Sequence, residues 1–560
     1  MNSHARQMAL TGCILMVSCS VALSQTKPEP PERTGALPED SVSVQEDRRL
    51  PRIDLPEFVI TGNETIVLPD ASKSVYEDQG SVVPDPSGEI GREARDPRLG
   101  PGAADRGAFA PSIEGVNGRI TAGYGSYQTP FFDGWFGKEF GTSDFLLKAG
   151  YKSSEGFARN TEFRRGYGAV SGGAYLPADA GFVGGARMQG TLSLSEDTYQ
   201  LYGSIAPEER RTLDRFSTDV TLSSDVPDAM TYSAALRMHS TSLRDRNHSR
   251  EIQLGTDLSA VGDIGEVEVK GEVGLWTGFY KSPSQPDNPV FSQLGVSGKY
   301  RIARDVDLSG GLGFYYLGGS DGSTAGNIYP RLGVSWYALE SVTLFARFEP
   351  FVQRSGMEQL IEWNPYLVND IRIRHPEHFV NLSAGVETEL SRTVKANAVF
   401  RYKRIQNYPT FVDNGRLGSW SVQYFGVTRI IEFSVDVHAN LSAGDYVGGS
   451  FMIRDGNNSS SGLSVPYLPS ASISGIYSHR FSFPLTVGTA MTLQSSQYAD
   501  VQNVVTLPAF ILVDLTAEYV VMREVSVSGG LSNLFNQPHR SWDGYAGQPR
   551  TAMLSASYRW

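Results

Sequence analysis

Histidines, cysteines and carboxylates are the residues of this chain that could do chemistry, and their spacing supports little of it. The eight histidines stand at positions 4, 239, 248, 375, 378, 438, 479 and 539. His375 and His378 are three residues apart, but no thiolate or carboxylate cage accompanies them in the sequence. A metal site and a pair of solvated loop histidines are both open readings of this pair, and the missing cage favours the second.

Carboxylates are numerous, but they are not paired for acid and base catalysis. Glu266, Glu268, Glu432 and Asp436 fall on the polar faces of alternating segments, where a wet surface accounts for them. The chain has no glycine-rich phosphate loop, metalloprotease helix or nucleophile-elbow motif. The sequence therefore predicts no catalytic residue, no metal and no cofactor, and a protein that is not an enzyme.

Composition narrows the remaining classes. The 560 residues include 49 Lys plus Arg against 61 Asp plus Glu, a net charge of −12, so no basic excess is present to bind nucleic acid. Two cysteines exclude a disulfide scaffold. Beyond the N-terminus no apolar run reaches the roughly 18 residues of a membrane helix, which excludes a multi-spanning helical protein but not a barrel of short strands.

The first 24 residues have the pattern of a signal peptide. One charge, Arg6, precedes an apolar run that ends in small residues. Cleavage after Ser24, with Ala22 three residues before the cut, is the favoured reading, and lipid attachment at Cys19 is the alternative. Either cut predicts a protein exported from the cytoplasm.

Residues 25–111 differ in composition from everything that follows. Residues 25–110 hold 11 of the 30 prolines but 3 of the 60 aromatic residues, with 17 acidic and 10 basic side chains. Such a stretch cannot bury enough apolar surface to offset its loss of conformational entropy, so it is predicted to be a disordered, acidic periplasmic segment. One β-prone run interrupts it, Leu55-Pro-Glu-Phe-Val-Ile-Thr-Gly62.

From residue 112 to residue 560 the pattern is alternation with a period of two. Ile431, Phe433 and Val435 share one face of a segment whose other face carries Glu432 and Ser434. Twenty-two such segments can be counted, the fifth of them from residue 180 to residue 194, and short turns alternate with long polar connections along the chain. This alternation of short and long connections predicts an all-β transmembrane antiparallel barrel of about 22 strands, with short periplasmic turns and long extracellular loops.

The last strand supports the same interpretation. Leu554, Ala556, Tyr558 and Trp560 share one face, and the chain ends on the aromatic residue. Tyr558 and Trp560 resemble the sorting signal that the barrel-assembly machinery reads in outer-membrane barrels. The outer membrane of a Gram-negative-type bacterium is therefore the expected location, with its lipid bilayer as a partner.

Several segments resemble the TonB-dependent receptor family of 22-stranded outer-membrane transporters. Val527-Ser-Gly-Gly-Leu-Ser-Asn-Leu-Phe-Asn536 and the final strand are similar to that family's closing pattern, and Gly118-Arg-Ile-Thr-Ala-Gly-Tyr-Gly-Ser-Tyr127 is similar to its first strand. The resemblance covers residues 112–560. It implies a receptor or transporter that takes up a solute through a gated, energy-coupled barrel.

The run Glu57-Phe-Val-Ile-Thr-Gly62 is similar to the family's energy-coupling segment, the TonB box. The resemblance implies that Glu57, Phe58, Val59, Ile60, Thr61 and Gly62 pair as an added strand with a TonB-like energy transducer. The chain departs from the family in the next interval, because only about 50 residues stand where a globular plug is expected. The sequence leaves three ways in which the lumen is closed: by the acidic segment, by a separate plug protein or by inward loops.

Uptake of an unidentified solute is the leading functional expectation. The loop from Arg354 to Glu377, with Trp363, Tyr366, Arg372 and Arg374, is the predicted substrate contact, and the alternative is a loop that merely packs on its neighbours. Two other functions stay open. The barrel could anchor a periplasmic complex as a structural or assembly protein, or it could be a passive porin-like channel.

Overall fold

The computed structural model describes residues 116–560, apart from 225–229, 284–285, 319–323, 392, 414 and 443. The predicted signal peptide, the acidic segment 25–111 and the coupling run 55–62 lie outside the described residues. Among the residues that are described, no helix is long and apolar enough to cross a membrane.

The alternating segments form one closed antiparallel barrel of 22 strands, which confirms the predicted fold class. Each strand pairs with its neighbour in the chain, and the first strand pairs with the last in a register that runs from Arg119 opposite Arg559 to Gly125 opposite Met553. Closure leaves no free sheet edge, so every strand has a hydrogen-bonded partner on each side.

The barrel strands are numbered β1 to β22 in chain order. The first eleven are Val116–Gly125, Thr129–Phe140, Ser143–Ser154, Phe163–Tyr175, Arg187–Gln200, Arg210–Ser224, Thr231–Arg244, His248–Ile264, Val267–Lys281, Val290–Ala303 and Val306–Gly318. The other eleven are Thr324–Leu339, Val342–Phe348, Glu377–Ser391, Val394–Val412, Ser421–Asn440, Asp445–Asn458, Ala471–Arg480, Leu485–Gln494, Phe510–Met522, Val525–Ser532 and Thr551–Arg559.

The connections between strands alternate between short and long, as predicted. One end of the barrel, here the turn end, has short connections such as 340–341 and 523–524, while the other, the loop end, has long ones such as 349–376 and 533–550. The connections at the loop end contain short strands: Pro286–Asp287, Phe351–Val352, Gln497–Tyr498, Thr506–Leu507, Arg540–Trp542 and Tyr545–Ala546. One helix, α1, spans Met357–Trp363.

The alternation predicts that the fifth strand begins at residue 180, but β5 begins at Arg187. A 3-10 turn, Gly181–Val183, occupies the interval, and Gly181 and Gly185 adopt φ of +65° and +77°. These left-handed conformations cannot continue a strand, and glycine adopts them at little cost.

The two faces of each strand have opposite chemistry. Phe433 on the outer face of β16 is 41% exposed, whereas Glu432 beside it points into the lumen and is 3% exposed. Glu432 accepts a hydrogen bond of 2.9 Å from Arg401 on β15. Outward apolar side chains with inward ion pairs are the arrangement of a barrel that has lipid outside and polar groups inside.

The seam between β1 and β22 requires a glycine at position 118. The backbones of Gly118 and Trp560 exchange hydrogen bonds of 3.1 and 3.2 Å. The Trp560 ring lies over Gly118 so closely that a Cβ there would be 2.2 Å from a ring carbon. The predicted sorting residues Tyr558 and Trp560 lie side by side on the outer face, with ring centroids 5.8 Å apart.

Replacing Gly118 with valine should therefore weaken barrel closure. The new side chain must displace the Trp560 ring, and overpacking of this kind costs about 1–3 kcal/mol. We expect a lower yield of folded barrel, measured by the heat-dependent shift in gel mobility. Gly190→Val on β5 is the matched control, because a Cβ at Gly190 meets nothing within 4 Å. Equal yields of the two variants would contradict this account of the seam.

Candidate functional site: the strap across the barrel mouth

The connection between β13 and β14 folds over the loop end of the barrel. We call residues 353–376 the strap. Its helix α1 begins after Gly356, which is extended and provides no side-chain cap. Glu251 on β8 provides the cap instead, because its carboxylate accepts a 2.6 Å hydrogen bond from the backbone N–H of Met357. A carboxylate at a helix start satisfies a free N–H and is favoured by the helix dipole.

The first part of the strap lies against the inner wall at β8 and β9. The Arg354 guanidinium stacks 3.5 Å from the centroid of the Trp276 ring and donates a hydrogen bond to Gln253. Gly356 passes so close to the wall that a Cβ would lie 2.1 Å from the Gln253 amide nitrogen. A polar cavity of about 390 Å³ remains between α1 and the wall, lined in part by Glu251 and Glu358.

Arg211 on β6 holds the middle of the strap. Its guanidinium is buried and donates hydrogen bonds of 3.0 and 2.6 Å to the carbonyls of Pro365 and Leu367. It also pairs with Asp245 at 2.7 Å. Removing one member of a buried pair of this kind leaves an uncompensated charge and typically costs about 3–5 kcal/mol.

The last part of the strap is bound to β8 and β9 and to the adjoining loops. The Asn369 side-chain amide donates to Asp245, and the Asn369 carbonyl accepts from Ser249. The backbone N–H of Ile371 donates to the Tyr280 hydroxyl at 2.9 Å. Ile371 and Ile373 are buried, so the strap alternates between apolar side chains facing inward and polar side chains facing out.

The connection between β15 and β16 also holds the strap. Val368 donates a 2.8 Å backbone hydrogen bond to the Trp420 carbonyl, and Trp420 donates at 3.2 Å to the Tyr366 carbonyl. Trp420 belongs to the β15–β16 connection and directly precedes β16. The middle of the strap, residues 365–368, therefore lies between Arg211 on β6 and this connection, and the strap reaches it from β13, seven strands away in the ring of 22.

Aromatic side chains from separate loops pack around the strap and form what we call the mouth cluster. Tyr366 stacks on Tyr545 with centroids 3.6 Å apart. Trp542 lies 5.1 Å from Trp420 and 4.2 Å from Tyr467. Burial raises the pKa of Tyr467 and Tyr545 above that of an ordinary phenol. The cluster is therefore neutral, aromatic and largely closed to water.

Three glycines allow the surrounding loops to meet by their backbones. Gly203, Gly418 and Gly544 come from the connections β5–β6, β15–β16 and β21–β22. A Cβ at Gly418 or Gly544 would lie 2.3 or 2.7 Å from the Gly203 carbonyl oxygen, and both residues have a positive φ. The Tyr545 hydroxyl closes the junction by donating to the Gly418 carbonyl at 2.7 Å.

The four strap residues that the sequence predicts as substrate contacts fall into two groups. Trp363 and Tyr366 pack against the mouth cluster. Arg372 and Arg374 are exposed on the outer surface of the strap. The Tyr424 hydroxyl fixes that surface, because it donates to the Arg372 carbonyl at 2.7 Å and accepts from the Arg374 N–H at 3.0 Å. The coupling residues 57–62 lie outside the described range.

The histidine pair is buried, so the reading of solvated loop histidines is wrong. His375 Nδ1 accepts a 3.0 Å hydrogen bond from Ser355, and its ring packs edge-on against Phe291. His378 stacks on Phe351 with centroids 4.3 Å apart. Among the described residues, no group of three or more His, Cys, Asp or Glu is arranged to hold a metal ion. The pair therefore serves to pack the two ends of the strap.

Sequence reasoning missed the wall residues that hold the strap. Arg211, Glu251 and Gln253 stand on ordinary alternating strands, and their partners are more than 90 residues away in the chain. A polar residue on a lumen face is expected in any barrel, so no local signal separates these three from their neighbours.

The strap should loosen in acid. Burial, reinforced by the nearby Arg354 guanidinium, lowers the pKa of His375 to about 4. Because the unfolded pKa is about 6.5, the neutral histidine contributes its full stability above pH 6.5 and loses it as the pH falls toward 4, with a loss of about 2 kcal/mol at pH 5. Proteolysis and hydrogen exchange of residues 353–376 should accelerate over this range.

The matched variants are His375→Asn and His248→Asn. Asparagine at 375 keeps a hydrogen-bond acceptor for Ser355 but takes up no proton, so the pH dependence should flatten. His248 is exposed at the start of β8, and its replacement should leave the wild-type profile in place. The same pH profile in all three proteins would rule out His375 as the source.

Comparison with known proteins gives one family and a set of similar folds. Residues 105–534 match the family model described as TonB dependent receptor-like, beta-barrel. A search of curated proteins gives no match. The FrpB iron transporter from Neisseria meningitidis (F3-3 variant) is 12% identical, with a TM-score of 0.64 over 80% of this chain and 82% of that one.

Two further solved structures have the same architecture. The copper transporter OprC is 14% identical, with a TM-score of 0.62 over 80% of this chain and 83% of that one. The ferripyoverdine receptor of the outer membrane of Pseudomonas aeruginosa is 14% identical, with a TM-score of 0.62 over 80% and 72%. At this identity the likeness shows the fold.

The family match spans more than three quarters of the sequence and every barrel strand except the last. The family is one of receptors and transporters, not of enzymes, and its barrels are those of the Gram-negative outer membrane. The strand number, the closed antiparallel topology and the match agree. The chain belongs to the TonB-dependent receptor family through its β-barrel.

Proposed function

We propose that the protein is an energy-coupled outer-membrane receptor that captures an anionic solute at the loop end and admits it when the strap moves. The observation that carries this proposal is the strap itself, which leaves the barrel wall at β13 and is bound in the mouth to Arg211 on β6 and to the β15–β16 connection. A receptor barrel with an obstructed mouth needs an input of work to open. The loop end faces the outside of the cell in this proposal.

The anchors explain why that work must be supplied. The strap is held by a carboxyl helix cap at Glu251, a buried guanidinium at Arg211 and a cation–π contact at Trp276. Hydrogen bonds to charged groups contribute about 1.5–3 kcal/mol each, so spontaneous release of several together is rare. We assign the work to a TonB-like transducer that pairs with Glu57–Gly62 as an added strand.

Arg372 and Arg374 support an anionic solute. They are two residues apart on the exposed face of the strap, and the Arg374 guanidinium lies 5.9 Å from the centroid of the Tyr424 ring. Two exposed guanidinium groups on one surface favour carboxylate, catecholate or phosphate oxygens. The names of the structural neighbours, which include iron and copper transporters and a ferripyoverdine receptor, suggest a metal chelate as the class.

One observation also favours a second function. The same anchors would suit a barrel whose mouth never opens and which holds a periplasmic complex in the membrane. Co-purification of a stoichiometric periplasmic partner, together with unchanged solute uptake after deletion of the gene, would favour this structural role. Opening of the strap by the transducer would exclude it.

The coupling assignment predicts a specific effect of proline. Ile60→Pro removes a backbone donor and cannot extend a sheet, so the full-length protein should lose binding to the immobilised periplasmic domain of the transducer. Ala71→Pro, outside the run, is the matched control and should bind as the wild type does. If Ile60→Pro binds equally well, residues 57–62 are not the coupling segment.

The strap assignment predicts a closed channel that opens when the strap is removed. In planar bilayers the wild type should conduct little, and a variant with residues 353–376 replaced by a short Gly-Ser linker should conduct strongly. Deletion of the exposed residues 459–461, at the tip of the β17–β18 loop, is the control and should stay closed. A wild type that already conducts as well as the strap variant would overturn the closure.

The same purified proteins test the solute contact. Arg372→Gln with Arg374→Gln should leave the channel closed, because neither guanidinium anchors the strap. The double variant should lose most of its affinity for ferric catecholates used as probes, read by the fluorescence of the mouth tryptophans. Wild-type affinity in the double variant would remove these two residues from the proposed contact.

A further inference from the structure

Five neighbouring strands, β22 and β1 to β4, carry an excess of cations on their lumen face. Ile120, Leu147 and Tyr558 are 43%, 40% and 50% exposed on the outer face, so the residues beside them in each strand face the lumen. Across the described residues of these strands, the lumen-facing cations are Arg119, Lys148, Lys152, Arg165 and Arg559, and the lumen-facing acids are Asp133, Glu139 and Asp144.

Two pairs of these cations stand directly opposite each other in the strand register. Arg119 on β1 is opposite Arg559 on β22, and Lys152 on β3 is opposite Arg165 on β4. Glu518 on β20 pairs with Arg559 at 3.2 Å. Side chains that are directly opposite have Cβ atoms about 5 Å apart, and like charges in such positions repel each other. Cations arranged in this way favour an anion beside them in the lumen.

The acids of this wall lie mainly at the turn end. Glu139 and Asp144 flank the turn between β2 and β3, and Asp144 pairs with Arg187 on β5 at 2.6 Å. Asp133 lies further up the wall, where its carboxylate accepts a hydrogen bond from the Tyr167 hydroxyl. Across the middle of the wall, cations therefore outnumber acids.

An aromatic residue stands between two of the cations. Trp135 on β2 is opposite Arg119 on β1 and opposite Lys148 on β3. The next residue, Phe136, points outward and stacks with Trp560 at a centroid distance of 6.4 Å, which places the Trp135 indole on the lumen face. The indole is half-buried, and Lys148 is exposed. We call Arg119, Trp135 and Lys148 the wall row.

We propose that the wall row binds an aromatic anion inside the lumen, below the strap. Its two cations suit carboxylate or catecholate oxygens, and the ring between them offers a face on which the aromatic part of the solute stacks. The site rests on the proposed uptake of an anionic solute and makes aromatic anions the preferred class. It holds the solute after the strap has moved and before release at the turn end.

A chain of charged side chains leads from the strap toward the wall row. Glu358 on α1 lies 3.6 Å from Arg215 on β6. Arg215 shares the carboxylate of Asp197 on β5 with Arg165 on β4. Lys152 follows on β3, opposite Arg165 and above the wall row. A lumen lined by one sign of charge concentrates ions of the other sign, so this course of cations carries an anion from the strap to the wall row.

Protection of Lys148 from acetylation measures the occupancy of the wall row directly. The full-length protein in detergent is treated with acetic anhydride, with and without a ferric catecholate as the probe, and the modification of each lysine is measured by mass spectrometry. The probe should slow the modification of Lys148 severalfold. Lys395 on β15, whose side chain is 58% exposed, should react at the same rate in both samples. Equal modification of Lys148 in both samples would overturn the site.

Variants of the wall row test the cations. Arg119→Gln should raise the half-protecting concentration about tenfold, which corresponds to about 1.4 kcal/mol of lost interaction, and Arg119→Lys should restore most of the affinity. Arg347→Gln removes a guanidinium on β13, across the ring, and should leave Lys148 protected as in the wild type. Each variant is accepted only if it keeps the heat-dependent gel mobility of a folded barrel. Unchanged protection in folded Arg119→Gln would overturn the proposal.

Two further arms identify the ligand class and separate this site from the mouth. Trp135→Leu should weaken protection by the catecholate, and inorganic phosphate should protect Lys148 poorly. Equal protection by phosphate and by the catecholate would overturn the aromatic assignment. Arg372→Gln with Arg374→Gln should leave Lys148 protected, because the probe reaches the wall row from the turn end in detergent. The mouth contact and the wall row can therefore fail independently.

Discussion

A ring of 22 strands encloses more space than the side chains of its own wall can fill, and the architecture of the loop end follows from that constraint. Inward ion pairs such as Arg401 with Glu432 satisfy the polar groups of the wall, but they do not fill the centre of the mouth. A segment from outside the strands must therefore cross the mouth. The strap does so with an extended chain and one short helix, so it brings backbone groups into the mouth that need partners of their own.

Those backbone groups explain the choice of wall residues. The Pro365 and Leu367 carbonyls are turned toward the wall, and Arg211 supplies two donors to them while Asp245 balances its charge. The N–H of Met357 at the start of α1 finds the Glu251 carboxylate. The mouth cluster supplies apolar contacts to the strap, and its side chains Tyr366, Trp420 and Tyr545 exclude water from the polar anchors.

The strands could be predicted from the sequence, and the strap could not. Alternation is a local signal, so segments such as 431–441 reveal their lumen and lipid faces without any knowledge of the fold. The fifth strand was misplaced where glycines with positive φ replace the alternation. The inward course of residues 353–376 depends on contacts such as Arg211 with Leu367, 156 residues apart, and contacts of that range leave no periodic trace. The two histidines were misjudged for the same reason, because the Phe291 and Phe351 rings that bury them belong to other elements.

The chemistry of the anchors also bears on how such a mouth could open. A lid held only by apolar packing would expose hydrophobic surface to water when displaced, and that cost grows with the area released. The strap is held by both kinds of contact. Water can replace the partners of its hydrogen bonds and charge pairs at a modest net cost. Its buried apolar side chains, which include Met357, Leu360, Leu367 and Ile371, lie along most of its length, so they are the larger barrier. Opening the mouth therefore requires enough work to expose these side chains to water, and the same cost drives the strap back into place when the pull ends.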